Sequence, residues 1–195
     1  MSRPSVRGKL VEAALETFHA RGFNGCSVQD IVDAAGVPKG SFYNHFKTKE
    51  ALALEVLAVY RAQSEELKSG AQTKSAKKKA PLKRLRAQFE ALGETLEQWK
   101  FARGCLMGTF SAELSEGDEA LREALDEGFK AWSREVAAQL REAQSDGSLS
   151  KKHDADRLGR YLVNAWQGAV GRAKLVQSRK PLDEFFAVTF DSLLV

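Results

Sequence analysis

Between positions 39 and 49 the chain crowds Lys39, Ser41, Tyr43, Asn44, His45, Thr48 and Lys49, seven side chains that donate hydrogen bonds. Such a set suits an array of acceptors: phosphate oxygens, which also attract the lysines, and the base edges of a DNA groove. Phe42 and Phe46, four apart, share a helical face and can anchor the segment inward while the donors stay outward. Nothing comparable points to catalysis. Paired His or Cys at metal-ligand spacing, a Gly-rich phosphate loop and a nucleophile beside a base are all missing, and His19, His45 and His153 fall on separate predicted helices. No catalytic residue, metal or cofactor is therefore expected.

Two short helices must hold these donors. Ser27 is placed to cap the first, Asp30 puts a carboxylate in its opening turn, and Val28, Ile31, Val32 and Ala35 recur at helical spacing. Gly36 follows where a left-handed residue is wanted, a conformation glycine adopts without a Cβ clash. Val37 can plug the gap between the helices, and Pro38 opens the second, at a position that needs no N–H donor. That second helix, about Pro38 to Asn44, carries the donors, with His45 at its end. Two helices joined by a glycine turn, the second short and donor-rich, describe a DNA-binding helix-turn-helix. Upstream, Leu10, Val11, Ala14, Leu15 and Phe18 mark a first helix over 5–21 that Gly22 stops. Downstream, Thr48 caps a fourth helix to about Leu67, short of a full capping box because Glu50 lies two residues on. The amides around Thr48, with Lys49, can hold a phosphate.

The segment AAGVPKGSFYNHFKTKEAL, preceded by FHARGFNGCSVQDIV, resembles the recognition segment of the tetracycline-repressor (TetR, AcrR-type) family of bacterial transcriptional regulators. That family shares a stretch of the form AGVSxGxxYxHFxxKExL after a helix ending in GF, and the resemblance covers roughly residues 5 to 60. It implies that Lys39, Ser41 and Asn44, with Gly40 beside them, face the groove. Tyr43, His45 and Lys49 become backbone-binding positions, and Ser27 and Thr48, at helix starts, complete the DNA-binding set. Arg3, Arg7 and Lys9 then come within reach of phosphates. It further implies a C-terminal bundle that encloses a small-molecule effector, repression relieved by that effector, and a bacterial cytoplasmic location. The candidate lining is Trp99, Cys105, Met107, Phe110, Phe129, Trp132, Tyr161 and Trp166, although aromatic residues at this spacing are more often plain core. The stretch Gly104-Cys105-Leu106-Met107-Gly108 is similar to one in a subgroup that includes sensors of electrophiles and oxidants. Arg103 and a helix N-terminus could there favour the thiolate. A thiol among apolar residues is more often a small inert hydrophobe, and that reading is preferred for Cys105. Cys26 is expected to fill space.

Composition agrees with an intracellular, all-α chain. Its 195 residues carry a net charge of +4, compatible with a nucleic-acid partner without deciding for one. Pro is scarce, no run of eighteen apolar residues marks a membrane span, and the basic opening followed by an amphipathic helix leads to the expectation of no secretion signal. Cys26 and Cys105, far apart, are expected as reduced thiols. The expected organisation is a helix-turn-helix domain over 1–48, a connecting helix over 49–67, a linker over 68–80, and a ligand-binding and dimerisation domain over 81–195, about nine helices in all. The last two predicted helices are apolar over a stripe wider than one small bundle needs. Leu158, Leu162, Ala165, Ala169, Arg172, Leu182, Phe185, Phe186 and Thr189 are the candidates for a homodimer interface, which would offer two recognition helices to a pseudo-palindromic operator. The competing reading is a helical ligand-binding or scaffold bundle that never meets DNA.

Overall fold

The computed structural model describes residues 5–70, 80–114 and 118–195. Arg3, positions 71–79 of the expected linker, and 115–117 lie outside the described residues. Nine α-helices and one π-helical turn follow in order, with no strand among the described residues. They are α1 (Val6–Arg21), α2 (Val28–Ala35), α3 (Lys39–Tyr43), α4 (Lys49–Gly70), α5 (Pro81–Gln98), α6 (Leu106–Glu113), α7 (Glu119–Ser145), α8 (Ala155–Val176) and α9 (Lys180–Val188), then the π turn Thr189–Leu193. Contacts group the chain into two units, Met1–Ala62 with Leu106–Asp126, and Gln63–Cys105 with Glu127–Val195. α6 and the opening of α7 therefore pack with the N-terminal helices, a partition not expected from the sequence. Lys68 to Gly70, placed by the sequence in the expected linker, continue α4.

In the first unit, Leu10, Ala14 and Phe18 of α1, Ile31 and Val32 of α2, Phe42 of α3 and Leu52, Ala53 and Val56 of α4 are wholly buried. Each such large apolar side chain contributes roughly 1.5–3 kcal/mol by leaving water. Phe110 of α6 joins this core edge-on to Phe18, with ring centroids 5.3 Å apart, and lies 5.5 Å from Phe23. His19 is buried, its ring edge-on to Tyr60 at 5.6 Å. The α1 helix places it on the side that α4 covers, a tertiary fact no local pattern announces.

The second unit is built around Phe89 of α5, whose ring lies 5.2 Å from Trp166 and 5.3 Å from Phe185. Leu85, Leu140, Leu162 and Leu182 are fully buried in the same cluster. Gly159 sets the spacing of α7 and α8: a Cβ there would lie 2.7 Å from the Ser133 carbonyl oxygen, too close for any side chain. Asp154 caps α8 by accepting from the amides of Asp156 and Arg157. The last helix reads in sequence as one piece, but the structure widens it to a π turn from Thr189. Arg86 braces that turn, donating to Asp191 at 2.6 Å and Glu90 at 2.9 Å, with its guanidinium 5.8 Å from the Phe190 ring.

Candidate nucleic-acid interface

The donor segment is positioned by caps and by two phenylalanines. At the start of α2 the Asp30 amide donates to the Ser27 hydroxyl at 3.2 Å. The Ser27 hydroxyl and amide donate back to the Asp30 carboxylate at 2.6 and 2.8 Å. The capping box is thus complete. These two Ser27 bonds, helped by the Arg21 guanidinium, hold the Asp30 carboxyl down at about 2. Gly36 ends α2 in the left-handed region, with φ of 63°. Pro38 then sits just before α3, one residue earlier than expected, with extended ψ of 145°. Phe42 and Phe46 turn inward, 0% and 4% exposed, so the opposite side of α3 is the outer one.

On that outer side stand Lys39, Gly40, Asn44, His45 and Tyr43, the last 56% exposed, with Ser41 half-buried. A Cβ at Gly40 would meet nothing within 4 Å, so a second macromolecule can approach the backbone closely there. Thr48 is exposed and its hydroxyl accepts from the Ala51 amide at 3.2 Å, capping α4. Ser27 is exposed but spends its hydroxyl on the cap. Lys49 is placed differently from the rest. Its ammonium donates to the carbonyls of Phe23 and Cys26, each at 2.9 Å, and lies 4.2 Å from the centre of the Phe23 ring. Arg7 is likewise engaged, in an ion pair with Glu55 and 5.2 Å from the Phe46 ring. Both cations brace the fold around the donors.

The comparisons with known proteins agree with this geometry. Residues 10–56 match the model of the bacterial regulatory proteins of the tetR family, and residues 81–189 that of the tetracyclin repressor-like C-terminal domain. The chain belongs to the TetR family. It is similar to the HTH-type transcriptional repressor DhaR of Mycobacterium sp. (strain GP1), with 40% identity over 100% of this chain and 95% of that one. Among solved structures, a regulatory protein TetR from Rhodobacter sphaeroides superposes with a TM-score of 0.84 at 35% identity, covering 91% of this chain and 93% of that one. The reduced form of NemR from Escherichia coli superposes with a TM-score of 0.79 at 28% identity, over 96% of both chains. The TetR family is one of DNA-binding transcriptional regulators, and no helix of the described residues is long and apolar enough to cross a membrane.

The residues expected around an effector are shared between the two units. Phe110 is fully buried in the first unit, and Met107 lies on the same helix. Trp166 is core of the second unit, while Tyr161 is 53% exposed. Phe129 and Trp132 pack partly buried against that core, and Trp99 lies under the Arg103 guanidinium at 5.2 Å. Cys105 is half-buried and directly precedes α6. Cys26, by contrast, is buried, and that burial pushes its thiol up more than the nearby Lys49 charge draws it down.

Two hollows in the second unit were not foreseen. One of about 320 Å³ is lined by Glu65, Lys68, Gln88, Glu135 and Gln139, the other, shallow and about 680 Å³, by Pro81, Arg141 and Asp146 among others. None of the expected lining residues touches either. Lys68, read as linker, is buried between Glu65 and Glu135 with its ammonium 5.5 Å from the Trp132 ring. The expected dimer residues divide. Leu158, Leu162, Leu182, Phe185, Phe186 and Thr189 are buried within the chain itself, which leaves Ala165, Ala169 and Arg172 nearer the surface.

Proposed function

We propose that this TetR-family regulator is a repressor that binds a pseudo-palindromic operator as a homodimer and is released by a small molecule. The observation that carries the DNA reading is the two-sidedness of α3, with Phe42 and Phe46 buried and Lys39, Tyr43, Asn44 and His45 outward. In this reading Lys39, Ser41 and Asn44 meet base edges with Gly40 allowing close approach, while Tyr43, His45 and Thr48 meet phosphates. Ser27 and Lys49 hold the elements that present them. One such helix touches too few bases for operator-level affinity, so two copies act together. The surface that suits self-association is the exposed side of α8 and α9, where Tyr161, Leu175, Val176 and Val188 are each 47–70% exposed. Gly168 and Gly171 on α8 leave open space for a close helix. The protein acts where its DNA lies, in the bacterial cytoplasm. A scaffold that never binds DNA is not favoured, because it has no use for the outward donors.

For the effector, a specific observation favours a covalent reading over a purely non-covalent one. Cys105 packs against the core of the second unit but is only half-buried, which leaves part of its surface open to a reagent. The similarity to a repressor solved in a reduced form points the same way. The test is selection of bound duplexes from a random pool, then titration of the recovered site with thiol-reactive electrophiles. Release of wild type but not of Cys105→Ser supports covalent sensing. Equal behaviour of the two proteins leaves a non-covalent inducer, and no enriched duplex overturns the proposal.

A further inference from the structure

We infer that Glu113 is the positioning residue that ties α6 to the DNA-binding helices, so that its removal uncouples operator binding from the state of α6. The inference rests on the DNA-binding reading above. Glu113 is the last residue of α6. Its carboxylate accepts from the Asn24 backbone amide at 2.8 Å, and its own carbonyl accepts from the Asn24 side-chain amide at 2.8 Å. The first of these is charge-assisted, and two bonds donated by Asn24, one backbone to side chain and one side chain to backbone, fix direction as well as distance. The same carboxylate fills the space above Gly22, where a Cβ would lie 1.9 Å from its Oε1. With φ of 75°, Gly22 is the residue the turn needs twice over, for its backbone and for the clasp.

The clasped turn is the one that sets the neighbouring helices. One turn back along α6, Phe110 presses on Phe18 and Phe23. From α4, Lys49 takes the carbonyls of Phe23 and Cys26, and Ser27 then caps α2. The segment from Gly22 to Ser27 is thus held by α6 through Glu113 and Phe110 and by α4 through Lys49. A shift of α6 reaches it directly, and from it α2 and α3. Phe110 alone would allow sliding, since ring contacts are weakly directional; the two bonds of Glu113 convert contact into register. Because α6 begins at the residue after Cys105, any event that reshapes that start is delivered to this clasp.

Coupling is reciprocal, so operator binding must in turn change the opening of α6. The experiment is amide hydrogen exchange of the full-length protein with and without the duplex recovered from the random pool, in wild type, Glu113→Ala and Glu113→Gln. In wild type, operator protects residues 39–49 and also slows exchange across 106–113 by about fivefold or more. In Glu113→Ala, 39–49 remains protected by the duplex, which shows a folded, binding protein, while the response of 106–113 vanishes. Glu113→Gln keeps an acceptor for the Asn24 amide and restores part of it. A response of 106–113 in Glu113→Ala equal to that of wild type overturns the inference, as does no response in wild type. Absence of protection at 39–49 in wild type would overturn the DNA-binding reading, and the clasp's role with it.

Discussion

Lys49 shows how a residue of the right type at the right spacing can also be engaged by the fold itself. A donor at the start of α4, within a few residues of Tyr43 and His45, reads naturally as a phosphate ligand. In the structure its ammonium donates to the Phe23 and Cys26 carbonyls, 26 and 23 residues earlier in the chain. Such pairings depend on how α1 and α4 cross and are invisible to local reading. Removing the cation takes a donor from two partly buried carbonyls, so Lys49→Ala should lose about 1–3 kcal/mol of stability, read by chemical denaturation. Lys39→Ala, on an exposed position, should leave stability unchanged and relax preference at one base position in a binding-site selection. The Ser27 cap, by contrast, was legible, because its whole geometry lies within four residues. Ser27→Ala should cost about 1 kcal/mol. Asp30 adds a pH signature. Its carboxyl is held at about 2, below its ordinary 3.8, so its contribution is full above about 4 and is lost as pH falls through about 2. NMR titration of the Asp30 carboxyl should find that depressed midpoint, and Ser27→Ala should raise it.

At the scale of elements, periodicity located the helices but not always the side each one buries. The capping serine, Gly36, Pro81 and the apolar rows of α5 and α7 fall where their chemistry requires. On α8 and α9 more than one side is apolar, and the sequence does not say which faces the chain's own core. The structure turns Leu158, Leu162, Phe185 and Phe186 inward against Phe89 and leaves Leu175 and Val188 outside. The two sides should respond differently to substitution. Leu162→Ala opens a cavity and should destabilise the fold by about 2–5 kcal/mol. Val188→Glu should keep the melting temperature at low concentration but shift sedimentation from dimer toward monomer. Co-sedimentation of Val188→Glu as an unchanged dimer would remove this face from the interface. The π turn after Val188 had no sequence signal, because its register is set by Arg86 reaching Asp191, 105 residues away.

For the whole molecule, fold class and the DNA-binding end were legible, since the helix-turn-helix is written in contiguous residues. The grouping of α6 with the N-terminal unit was not, because it rests on Phe110 and Glu113 meeting residues some ninety positions earlier. The effector site was the least legible, as aromatic side chains serve core and pocket alike. A net charge of +4 is modest, so the proposed reading rests DNA affinity on the placed donors of α3. The measurement that bears on this most directly is the affinity of wild type and Tyr43→Ala for the recovered duplex across a salt series. Wild-type affinity should fall linearly on a log–log plot, and Tyr43→Ala should bind about tenfold or more weakly on matched and mismatched duplexes alike. Equal affinity of the two proteins at physiological salt would contradict the assignment of α3 as the recognition helix.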